Sequence, residues 1–135
     1  MRTTTACIAA ILAAAMLASC SSGNDSNEAA TKVQGVCEDL GVKPGGRDDW
    51  NDGSSTDWAG MARLQNDVAN RAAAAAVSDP LWNRLADTLS DLAAIAQRYA
   101  DASPAPSALS PEDSDAVRQS GLVVHAECRK AYAAG

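Results

Sequence analysis

The sequence predicts an all-α fold: a small antiparallel four-helix bundle with one disulfide, preceded by a signal peptide and a flexible tether. Three observations point there. Alanine makes up 30 of the 135 residues and phenylalanine is absent, and alanine is the best helix former and a poor strand former. Apolar residues recur at spacings of three and four in four segments, separated by Gly- and Pro-containing breaks. Two cysteines, Cys37 and Cys128, sit on the first and last of those segments. The length allows one small domain, and 47% apolar residues are enough to build a core. A net charge of −6 argues against a nucleic-acid binder, which needs a basic face for phosphates.

The N-terminal segment reads as an address. Arg2 supplies a positive start, and Ala6 to Leu17 is an apolar stretch of 12 residues. A membrane span needs ~20 apolar residues, and the polar run from Ser21 to Asn27 cuts this stretch short. It closes on Leu17-Ala18-Ser19-Cys20, which resembles the lipobox of bacterial lipoproteins. The resemblance covers Met1 to Cys20. It implies that the Cys20 thiol receives a diacylglyceryl group, that residues 1–19 are removed, and that acylated Cys20 becomes the new N-terminus. Two or more acyl chains hold a protein durably at a bilayer, at ~0.8 kcal/mol per buried methylene. The expected location is therefore the extracytoplasmic face of the cell membrane. Loss of Arg2 with the signal leaves the mature chain at −7, so anionic headgroups would not attract the domain, which is expected to stand off the membrane.

Residues 20–27 form the lipidated cysteine and tether, and residues 28–135 the bundle domain. Cys7 leaves with the signal and Cys20 carries lipid, so Cys37 and Cys128 are an even pair in an exported chain and are expected to be bridged. Closing a loop of about 90 residues constrains the unfolded chain by ~4–5 kcal/mol in the entropic account. The competing reading is a metal site of Cys37, His125 and Cys128, but no fourth His or Cys completes it. His125, the one histidine, is expected to be a partly exposed boundary residue beside the bridge.

Val33, Val36, Cys37 and Leu40 predict a first helix over about Glu28–Leu40, weakened by Gly35 and stopped by Gly41. Val42 to Thr56 reads as a loop, with Ser55 or Thr56 capping the next helix and Asp57 in its first turn. Trp58, Met61, Leu64, Val68, Ala72 and Ala75 give the second helix its inner face. Asp79 and Pro80 open the third as cap and first residue. Its stripe of Trp82, Leu85, Leu89, Leu92, Ala96 and Tyr99 is the clearest in the chain, and Leu81, Thr88 and Ile95 broaden it. Ala102 to Ser107 is a Pro-rich loop. Ser110-Pro111-Glu112-Asp113 starts the fourth helix, whose inner face is Val117, Gly121, Val124, Cys128, Ala131 and Tyr132. Arg129 and Lys130 are expected in its last turn.

Chemistry is sparse. Asp48, Asp49, Trp50 and Asp52 form a possible binding loop, but neither register meets the oxygen-ligand spacing of an EF-hand, so a solvated acidic loop is the simpler reading and no metal is assigned. Trp50 would be a contact anchor if exposed. Trp58 is better read as the first core residue of its helix. No serine lies in a Gly-x-Ser-x-Gly elbow and no Gly-rich phosphate loop is present, so no enzyme and no cofactor are expected. The alanine-rich composition and lipobox resemble those of small exported lipoproteins of actinobacteria, a class also carried by phages that exclude superinfecting phage from the host surface. The expected function is a non-enzymatic interaction module at the cell envelope that contacts an envelope protein or a small apolar ligand, with surface exclusion one role such a chain fits. The alternative is a metal- or small-ligand-binding envelope module.

Overall fold

The computed structural model describes residues 6–45 and 57–135, with side chains described from residue 23 onward. It is all-helical: α1 (Ala6–Asp39), α2 (Trp58–Ser78), a 3-10 turn (Pro80–Trp82), α3 (Asn83–Asp101) and α4 (Pro111–Ala134). Each helix packs on the next and α1 packs on α4, so the four form a ring of up-down-up-down neighbours. None of the helices, among the described residues, is long and apolar enough to cross a membrane.

The expected first helix begins much earlier than Glu28. Residues 21–27, expected to be an extended tether, continue the same helix into the bundle. One glycine and no proline lie in that run, so nothing breaks the backbone pattern. Thr31 Oγ1 donates back to the Asn27 carbonyl at 3.0 Å, and Lys32 pairs with Glu28 at 2.8 Å. Seven helical residues span ~10 Å, about half the reach of the extended segment.

The stop at Gly41 is a Schellman motif. Val42 N–H donates to the Cys37 carbonyl and Gly41 N–H to that of Glu38, each at 2.9 Å. Gly41 carries φ 77°, the left-handed region where a Cβ is strained. The turn drives Val42 into the core, and its carbonyl accepts from the Tyr132 hydroxyl at 2.7 Å. Burial raises the Tyr132 phenol above its ordinary value, with Glu38 adding to the effect.

The disulfide forms as expected: Cys37 and Cys128 are bonded at 2.06 Å, with Cα atoms 5.8 Å apart. Gln34 Nε2 donates to the Ala131 carbonyl at 2.8 Å on the same seam. Arg71 of α2 reaches over α1 to Asp39 and, at 3.3 Å, to Asp67 on its own helix. The hydrogen bond to Asp39 raises the Arg71 guanidinium above its already high value. Gly35 makes room for it, since a Cβ there would lie 3.1 Å from the guanidinium.

The third helix buries Trp82, Leu85, Leu89, Leu92, Ala96 and Tyr99; Leu81, expected to broaden that stripe, is instead exposed at the α2–α3 turn, and Thr88 and Ile95 are half-buried. Asp79 caps it by accepting from Leu81 N–H at 3.0 Å, although the first turn is 3-10. Four further expectations need correction. Asp57, rather than Ser55 or Thr56, caps α2 by accepting from Gly60 N–H at 2.8 Å. The inner face of α2 is rotated toward Ala62, Gln65, Ala69 and Ala76, leaving Leu64 exposed, because α3 nests closely against the alanine side. His125 is buried rather than at a boundary: α4 is flanked by α1 and α3, which widens its covered arc to take in His125 and Glu127. The helix also runs on to Ala134, so Arg129 and Lys130 precede its last turn.

Candidate functional site

The bundle has two unlike poles. Cys37–Cys128 and Gln34–Ala131 set α1 antiparallel to α4. Tyr99–Asp113 and Arg84–Glu127 set α3 antiparallel to α4. The α2–α3 turn and the α4 C-terminus therefore share the pole through which α1 enters. The start of α2, the end of α3 and the 102–110 loop make the opposite, far pole.

The far pole is built on Trp58 and Tyr99. Asp57 starts α2 so that Trp58 faces inward, and the α3 stripe ends on Tyr99. Their rings lie 4.8 Å apart, tilted by 42°, within the range where aromatic pairs attract. Trp58 Nε1 donates to the Pro106 carbonyl, fastening the loop over the ring pair. The loop returns through Ser110, whose N–H donates to the Tyr99 hydroxyl at 2.7 Å. That hydroxyl donates in turn to Asp113 at 2.8 Å.

Asp113 also accepts from Arg98 at 2.7 Å and from Ser110 Oγ at 3.0 Å, while Ser110 Oγ accepts from the Asp113 N–H at 3.1 Å. The Tyr99 hydrogen bond, helped by Arg98 and Ser110, holds the Asp113 carboxyl below its usual value. Beside this clamp lies a shallow open groove of about 380 Å³, lined by Arg98, Tyr99, Ala102, Pro106, Ala108, Leu109 and Ser110. Its floor is apolar with one cation at the rim. Such a surface can seat an apolar side chain of a partner, whereas small-ligand sites enclose most of the ligand.

Of the residues singled out in the sequence, Cys37 and Cys128 are brought together. Cys20 lies on the α1 backbone, nine positions before Ala29, the first buried residue of that helix among those whose side chains are described. Asp48, Asp49, Trp50 and Asp52 lie outside the described residues. Trp58 is a core residue, as its periodicity predicts. Among the described residues no group of three His, Cys, Asp or Glu side chains is placed to hold a metal ion.

Glu127 is the residue that sequence reasoning missed. It is fully buried, and its Oε1 accepts from Lys130 at 2.8 Å with Arg84 3.9 Å away. Its Oε2 has no hydrogen-bond partner among the described residues. A charged residue one position from Cys128 reads as solvated in a sequence; only the two-sided packing of α4 buries it. No family model, curated protein or solved structure matches this chain.

Proposed function

We propose that the protein is an exported lipoprotein, held at the extracytoplasmic face of the cell membrane by acyl chains on Cys20. Its bundle serves there as a non-enzymatic binding module. The observation that carries this reading is Leu17-Ala18-Ser19-Cys20 at the end of a 12-residue apolar stretch. The Cys37–Cys128 bond supports it, because disulfides persist in oxidising compartments outside the cytosol. Such a module meets an envelope protein through its far pole, where the groove beside Tyr99 sits away from the anchor. The same groove is the basis of the alternative, a small-ligand module, but its openness favours a protein surface.

Two measurements test the proposal. Cell fractionation of the Cys20→Ala variant should move the protein from the membrane to the soluble fraction; retention in the membrane argues against an acyl anchor. A photo-crosslinking residue at Leu109 should capture one defined envelope protein, and the same probe at Leu122, on the flank of the bundle, should not. Equal capture at both positions removes the far pole from the proposal.

A further inference from the structure

The pole through which α1 enters carries the two most exposed large apolar side chains among the described residues, Val77 at 88% and Leu81 at 55%. Both flank the α2–α3 turn, and Pro80, Ala133 and Ala134 around them are exposed as well. The acid of this turn, Asp79, has its carboxylate engaged in capping Leu81 N–H. Nothing in the bundle explains two uncovered branched side chains at a turn that needs only polar or small residues.

The direction of α1 supplies the occupant. Ala29 and Ala30 are buried against the bundle, while Gly23 to Glu28 are exposed on every side, so the helix leaves the bundle through this pole and heads toward Cys20. Cys20 lies nine helical steps before Ala29, ~13 Å of rise. A headgroup layer is about 5–8 Å thick on each side of the hydrocarbon core. An extended tether would let the domain take any orientation. A helix continuous with the bundle couples the two, so that leaning α1 against the membrane brings one side of this pole down onto it.

Resting on the reading that Cys20 is acylated, we propose that the α2–α3 turn is the lipid-facing pole and that Val77 and Leu81 enter the interfacial layer of the bilayer. The mature chain is net negative, so apolar insertion rather than attraction to anionic lipid supplies the contact. Neutral phosphatidylcholine is then a sufficient surface.

The test uses the full-length protein extracted from membranes and reconstituted in phosphatidylcholine vesicles containing lipids brominated near the carbonyl end of the acyl chain. Tryptophan is introduced as Leu81→Trp, Val77→Trp and, on the flank of α4, Leu122→Trp, with the parent spectrum subtracted and circular dichroism confirming the helices. The added emission at 81 and 77 should shift to the blue and lose most of its intensity to bromine, while that at 122 should keep both its position and its intensity. Acylated, folded protein whose Trp at 77 and 81 is unquenched overturns the proposed orientation alone. A blue shift that grows with protein density but is insensitive to bromine also overturns it, assigning the pole to a second copy. An intact mass without acyl chains overturns both this orientation and the anchoring reading beneath it.

Discussion

The Tyr99 hydroxyl stands between the two helices it joins, donating to Asp113 at 2.8 Å while accepting the Ser110 N–H at 2.7 Å. One phenol thereby fixes the end of α3, the loop and the first turn of α4. The bond to Asp113 is charge-assisted, so Tyr99→Phe should lower stability by about 1–2 kcal/mol at neutral pH. The sign with pH follows from linkage. The folded Asp113 carboxyl lies below its unfolded value, so its contribution is present above the unfolded value and is lost as pH falls through the folded one. Urea unfolding of wild type and Tyr99→Phe should therefore differ most near neutrality and converge in acid. A pH-independent difference would contradict the assignment to Asp113.

Glu127 and Lys130 invite the opposite expectation from the usual one for ion pairs. Glu127 is fully buried and Lys130 half-exposed. Lys130→Met leaves a buried carboxylate short of a partner and should cost ~1–3 kcal/mol, less than a fully buried pair because Arg84 remains nearby. Glu127→Met removes the buried charge and lets Lys130 return to water, so it should be neutral or stabilising. Thermal unfolding of the two variants separates them, and a larger loss for Glu127→Met would contradict this account.

The glycines of α1 should respond in opposite directions. Gly41→Ala forces a Cβ into the left-handed region and should cost about 1 kcal/mol. Gly35→Ala gains up to ~1 kcal/mol of helix propensity. Its Cβ meets only the tip of Arg71, a flexible, partly exposed side chain, whose surface ion pair is worth ~0–1 kcal/mol. The net expectation is a small stabilisation, read as a higher denaturation midpoint.

The disulfide ties residues 91 apart in sequence. Replacing both Cys37 and Cys128 by alanine should cost ~4–5 kcal/mol in the chain-entropy account. For a domain of this size that is a large share of the total. Dithiothreitol should lower the urea midpoint of the wild type toward that of the double variant, and an unchanged midpoint would show that the bridge contributes little.

How far the fold could be read in advance depended on side-chain size. The centre of the α3 stripe was legible because Trp82, Leu85, Leu89 and Leu92 leave no ambiguity about which face is inner, whereas its edge was not, and Leu81 faces out. On α2 the inner face is made largely of alanine, which carries too little hydrophobic signal to separate Ala62 and Ala69 from Ala59 and Ala73; only the close approach of α3 decides. The Ser110 cap and the Gly41 stop were local and readable. The Schellman turn that buries Val42, the Tyr99 link and the burial of Glu127 depend on contacts between elements far apart in sequence. At the far pole, the Trp58–Tyr99 pair arises from two separate inner faces that meet only in the folded bundle.

The most direct test of the account is the intact mass of the protein extracted from cell membranes. The prediction is a chain that begins at Cys20 and carries at least two acyl chains, with Cys37 and Cys128 oxidised. A chain with an unmodified Cys20, whatever its N-terminus, would contradict the central claim.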